Sequence, residues 1–140
     1  MCFLSICLIG CEDDPVLNKD GFTEFNVVVP GSWTLQQATQ NGLDISNSFD
    51  FSAFSLDLSF NGDSPSDFTV TNGNAPFATS GSGTWTFDDL VYPTQIIFTS
   101  NGSSSTFDLA NLPLAAHNNT MSIEFSLGCA DNTYIYTLTK

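Results

Sequence analysis

Apolar and polar side chains alternate with a period of two along much of the chain. Phe54, Leu56, Leu58 and Phe60 alternate with Ser55, Asp57 and Ser59. Met121, Ile123, Phe125 and Leu127 alternate with Ser122, Glu124 and Ser126 in the same way. Successive side chains on a strand point to opposite faces, so each run predicts a strand with one buried and one wet face. Shorter runs predict further strands at 32–39, 67–71, 83–88, 94–100, 104–109 and 133–139, eight strands in all. Asn41-Gly42, Asn61-Gly62-Asp63, Asn72-Gly73-Asn74 and Asn101-Gly102 punctuate them with residues that tolerate positive φ. Asn101-Gly102, between two strand-like runs, is the strongest tight-hairpin signal. The oxygen-rich stretch 61–67 and the small-residue stretch 78–83 read as loops. No segment of twelve residues carries a helical stripe; 43–53 and 109–120 each have room for one short turn. About eight antiparallel strands with one apolar face predict an all-β, up-and-down barrel, with a β-sandwich as the alternative. Such a barrel is either filled by its own side chains or keeps room for one ligand.

The N-terminus breaks this pattern. Met1–Gly10 is an apolar run, too short for the roughly 20 residues of a membrane span. It reads as the remnant of a signal peptide. No basic segment precedes it, so the natural start is expected upstream. The run ends in Leu8-Ile9-Gly10-Cys11, which resembles the lipobox of bacterial lipoproteins. That resemblance implies a thioether-linked diacylglyceryl group on Cys11, cleavage after Gly10 and a third acyl chain on the new amino group. Two or more chains anchor a protein stably, at about 0.8 kcal/mol per buried CH2. Glu12-Asp13-Asp14-Pro15 follows at once. This block resembles the acidic export tag behind the lipidated Cys in surface lipoproteins of the Bacteroidota. The expected organisation is a signal remnant at 1–10, a lipidated Cys and acidic tether at 11–30, and a barrel at 31–140. Phe22, Phe25 and Val27–Val29 add a lead-in strand or dock on the barrel. The expected location is the outer membrane, lipid-anchored and facing the cell surface, with its periplasmic face as the alternative.

Within 31–140 an ordered set of short motifs recurs: Gly31-Ser32-Trp33-Thr34-Leu35, Asn41-Gly42-Leu43-Asp44-Ile45, Phe51-Ser52-Ala53-Phe54, Gly83-Thr84-Trp85-Thr86-Phe87-Asp88, Tyr92-Pro93-Thr94-Gln95-Ile96-Ile97-Phe98, and Cys129 to Lys140. Together they resemble an uncharacterised lipocalin-like domain of Bacteroidota lipoproteins. The resemblance implies a barrel of about eight strands in which the Trp after Gly31 plugs one end. It implies no catalytic residues and no ligand. Read from the residues themselves, Trp33 and Trp85 each open a strand after a small-residue turn and serve as core plugs. Phe54 and Phe87 line the same interior, as core or, if they face an open mouth, as an apolar ligand pocket.

Composition narrows the chemistry. The 140 residues carry 15 Asp and Glu against 2 Lys and Arg together, a formal net charge of −13. Two cations cannot neutralise a nucleic-acid backbone or hold an anionic membrane surface. Fifteen acids make a pair suited to glycoside hydrolysis easy to find by chance, with Asp63, Asp67, Asp88 and Asp89 as the candidates. Asp63 and Asp67 are also weak calcium candidates, but they lack the spacing of an EF-hand loop. One His and one unlipidated Cys cannot build a closed zinc site. His117 is the only base a Ser-His-acid triad could use, and Asn118-Asn119 beside it reads as loop. Cys129 is expected to pack as a small apolar residue. Asn101-Gly102-Ser103 and Asn118-Asn119-Thr120 match the N-glycosylation sequon, by chance in a bacterial chain.

The sequence therefore points to a non-enzymatic lipoprotein without a cofactor. Its expected partners are the lipid bilayer through acylated Cys11, a small apolar ligand or glycan in the barrel, or an outer-membrane protein. The second reading is an accessory subunit of an outer-membrane glycan-uptake complex, with a filled barrel and an exposed apolar patch outside the barrel mouth. The third is a small carbohydrate hydrolase.

Overall fold

A computed structural model describes residues 29–111 and 119–140. In chain order the strands are β1 (Gly31–Gln40), β2 (Leu43–Asp44), β3 (Ser55–Asn61), β4 (Ser64–Thr71), β5 (Gly81–Phe87), β6 (Gln95–Ser100), β7 (Ser103–Asn111), β8 (Thr120–Ser126) and β9 (Thr133–Thr139). No helix occurs among the described residues. The sheet runs β1-β3-β4-β5-β6-β7-β8-β9, every pair antiparallel, and β9 pairs back onto β1. Eight strands thus close into a barrel, which decides against the sandwich. β2 is an extra two-residue strand hairpinned onto the end of β1 through Asn41-Gly42. Cys2, Cys7, Cys11, the acidic block, Phe22, Phe25 and His117 lie outside the described residues.

Closure rests on β1, which pairs with both β3 and β9. Gly31–Thr34 pair with Leu58–Ser55 of β3, and Thr34–Gln40 pair with Thr139–Tyr134 of β9. A bulge between Leu35 and Gln37 adds a residue at the seam, so the inward set of Trp33 and Leu35 resumes at Ala38, three positions on. Such a bulge bends a strand and re-aims its side chains. Closure leaves the long strands no open edge for another chain to pair with.

The inward positions are those of the alternation. Leu56 and Leu58, Phe68 and Val70, Ile96 and Phe98, alternate residues from Met121 to Phe125, and alternate residues from Tyr134 to Leu138 are buried. No polar or charged side chain is buried among the described residues. Rings fill the interior in contact with one another. Phe68 meets Phe98 edge-on at 4.9 Å, Phe98 meets Phe107 at 5.1 Å, and Phe107 stacks on Phe77 at 5.1 Å. Edge-on and offset ring pairs add roughly 0.5–1.5 kcal/mol each beyond the area they bury.

Antiparallel order sorts the connections to two ends. The chain enters β1 at what we call the N-terminal end, with the Gly62-Asp63 turn, the 88–94 loop and Lys140. The opposite end carries Asn41-Gly42, the 45–54 and 72–80 segments, Asn101-Gly102 and the 127–132 turn. At the opposite end two loops fold inward. Phe77, from the 72–80 loop, contacts Phe54, Phe107, Phe125 and Tyr136. Phe51 and Phe54, from the 45–54 segment, meet Tyr136 edge-on. The Tyr136 hydroxyl donates to the Pro76 carbonyl, and burial pushes its phenol well above the ordinary range. At the N-terminal end Trp33 is the plug. It is fully buried, and its indole N–H donates to the Val29 carbonyl at 2.8 Å.

Several expectations need correcting. Residues 61–67 do not form a loop: β4 begins at Ser64, and Asn61 pairs with Ser64 across a two-residue turn. Positive φ at Gly62 makes that turn possible. Residues 78–83 are only partly loop, because β5 begins at Gly81. A Cβ on Gly83 would collide with the Thr99 carbonyl and lie 2.9 Å from the Phe68 ring, so the strand needs a residue without one there. The 43–53 segment holds β2 and single turns closed by Ser48 N–H to the Ile45 carbonyl and Phe54 N–H to the Phe51 carbonyl. Cys129 does not pack in the core. It is exposed on the turn between β8 and β9, where Gly128 takes positive φ and the chain reverses.

Candidate functional site

The 88–94 loop between β5 and β6 differs from the other described connections. Its root is anchored. Phe87 packs edge-on against Trp85 at 5.3 Å, and Trp85 also stacks on Phe60 at 5.6 Å and donates its indole N–H to the Ser59 carbonyl at 3.0 Å. The backbone of Asp88 donates to the Gln95 carbonyl, and that of Leu109 to the Thr94 carbonyl at 2.8 Å, so both limbs are stitched into the barrel.

Two carboxylates then hold the loop from inside. Asp88 accepts the backbone N–H of Thr94 at 2.9 Å and of Gln95 at 2.8 Å, and the Thr94 hydroxyl at 2.6 Å. Asp89 accepts the N–H of Val91 at 2.7 Å and of Tyr92 at 2.9 Å. Asp side chains close such turns on backbone donors a few residues ahead. These donors favour the charged form. The Thr94 hydroxyl, then the Gln95 N–H, hold the Asp88 carboxyl down at about 2, and the Tyr92 and Val91 N–H groups hold Asp89 below its ordinary value.

The result is a preformed tip. Leu90, Val91 and Tyr92 are 69%, 71% and 82% exposed, while the next residue, Pro93, is buried. Three consecutive large apolar side chains on a loop stapled into that shape form the strongest apolar feature on the described surface. Elsewhere among the described residues only Leu43, on the β1–β2 hairpin, and Phe49 are large, apolar and exposed. Phe49 still leans on Phe51, at 5.8 Å.

A family model described as a domain of unknown function, DUF5004, matches residues 18–139. The chain belongs to this family. No curated protein and no solved structure matches the chain. The matched span of the DUF5004 domain starts before β1 and includes the 88–94 loop. Val29, ahead of β1, is already fully buried against the barrel.

The other candidate residues of this DUF5004 domain fall in separate places. Trp33, Trp85 and Phe54 are buried in the barrel, and Phe87 is half-buried at the root of the loop. Asp63 sits in the β3–β4 turn, and Asp67 lies exposed on β4 opposite Thr84. Asp88 and Asp89 are engaged by the loop they shape. Among the described residues no group of three His, Cys, Asp or Glu is placed to hold a metal ion. The tip itself escaped the sequence reading. Its signal was present: a pair of Asp, three apolar residues and a Pro, between two strands.

Proposed function

We propose that this domain is a non-enzymatic lipoprotein module, held at the outer membrane through acylated Cys11 and acting through the outside of a filled barrel. The observation that carries this reading is the Leu90–Val91–Tyr92 tip, displayed beside an interior occupied by its own rings. An exposed, stapled apolar element supports a contact role for the outer surface. The continuous ring packing favours an accessory, surface-acting role over carriage of a ligand inside the barrel. The lipobox-like Leu8-Ile9-Gly10-Cys11 and the acidic block behind it support the anchor. Cys11→Ser is expected to move the protein from the membrane fraction to the soluble fraction. Unchanged attachment would remove the anchor from the account.

A further inference from the structure

We infer that the Leu90–Val91–Tyr92 tip is a second membrane contact, dipping into the lipid interface beside the anchor. The inference deepens the proposed function and rests on the anchored reading of Cys11. Four observations lead to it.

The first is position. The tip lies at the N-terminal end of the barrel, the same end as Val29. Residues 12–28 lead from there to Cys11 and span at most roughly 60 Å when fully extended. The tip therefore lies at the end of the barrel from which the tether to Cys11 leaves.

The second is the loop's backbone. An unsatisfied peptide group is expensive in lipid. The N–H groups of Val91, Tyr92, Thr94 and Gln95 all have carboxylate partners within the loop. Leu90, Val91 and Tyr92 can enter an apolar medium without stripping water from these donors.

The third is composition. Two aliphatic side chains with a Tyr beside them suit the boundary between headgroups and acyl chains, where an amphipathic ring is favoured.

The fourth is size. Three side chains on one narrow loop offer far less than the ~800 Å² per partner of a standard protein interface. A bilayer accepts a small insertion, and the tether raises its effective concentration at the surface. The full chain carries a net charge of −13, so it gains nothing from anionic lipid, and a zwitterionic surface is the partner this tip fits.

The test uses the full, lipid-anchored protein in phosphatidylcholine vesicles. A spin label is placed at Val91→Cys in a Cys129→Ser background, with Asn101→Cys at the opposite end as the control. Flotation of the vesicles reports the anchor independently. The label at residue 91 is expected to be several-fold less accessible to a water-soluble nickel chelate than the label at residue 101, and more accessible to dissolved oxygen. Protein that floats with the vesicles while residue 91 stays as open to nickel as residue 101 would overturn the tip contact and leave the anchor standing. Protection from both reagents in these vesicles would overturn it in favour of cover by residues 12–28 or a second copy. Protection that appears only in native membranes would overturn it in favour of a protein partner. Failure to float would overturn the anchored reading itself.

Discussion

The two ends of this barrel use similar residues to opposite effect. At the opposite end from the chain's entry, the 45–54 and 72–80 segments turn their aromatic side chains inward. Phe51, Phe54 and Phe77 close over Tyr136 and join the core. At the N-terminal end the core is already sealed by Trp33, with the Lys140 ammonium 4.9 Å from its ring centroid and donating to the Pro30 carbonyl at 2.8 Å. Leu90, Val91 and Tyr92 of the 88–94 loop project outward. Asp carboxylates shape loops at both ends. Asp44 accepts the Gln37 side chain at 2.9 Å and the Ser46 N–H at 2.8 Å, which brings its carboxyl down to about 2. What separates the ends is where the apolar side chains go once the backbone is set. Apolar residues of the 45–54 and 72–80 loops turn into the barrel, whereas those of the 88–94 loop stay exposed.

The comparison breaks most easily at Phe77. Phe77→Ala should cost about 3–5 kcal/mol of stability, the range for a buried Phe. Urea unfolding measures it, and a loss below ~1 kcal/mol would mean that the 72–80 loop lies over the opposite end without plugging it. The seal at the N-terminal end should be weaker. Lys140→Met keeps most of the aliphatic stem that packs by Gly31 and removes the charge over Trp33, for an expected loss of about 0.5–2 kcal/mol. No change in the urea midpoint would leave Trp33 as the seal without its cap.

The stapled loop should respond locally. Asp89→Ala should speed hydrogen exchange at Val91 and Tyr92, while Asp88→Ala should do so at Thr94 and Gln95. Equal loss at all four amides in either variant would show one cooperative loop rather than two staples. The pH dependence follows from the same bonds. The folded Asp88 carboxyl titrates at about 2, below its ordinary value of 3.8, so the folded loop binds fewer protons than the unfolded chain. Its contribution is present above roughly pH 4 and is lost as pH falls through about 2. The Thr94 and Gln95 amide signals should move with the carboxyl over that window. The smallest effect on stability belongs to the tip. Replacing Leu90, Val91 and Tyr92 with Ser together should leave stability within about 0.5 kcal/mol, as for exposed sites. A larger loss would place the tip in the core's account and weaken its contact role.

Much of the barrel was legible in the alternation. Phe54 to Phe60 and Met121 to Leu127 announce their strands, because burial on one face imposes a period of two, and Trp33 and Trp85 are both buried. What escaped depends on neighbours distant in sequence. β4 begins in Ser64-Pro65-Ser66, which has no apolar pattern and is held by pairing with β3. β5 opens as Gly81-Ser82-Gly83: Gly81 takes positive φ, and the Phe68 ring and the Thr99 carbonyl leave no room for a side chain at Gly83. The bulge after Leu35 breaks the period inside β1. The direction of a loop's apolar residues is hidden for the same reason. Nothing local distinguishes Phe77, which turns in, from Tyr92, which turns out. Only the order of strands and the space left at each end decide it.

The central claim, a barrel filled by its own rings and acting through its outside, is tested most directly by native mass spectrometry of the Cys11→Ser protein purified from its native compartment. The account predicts the bare mass of the chain before and after denaturation. A reproducible excess mass that leaves on denaturation would mean a carried ligand, and would contradict it.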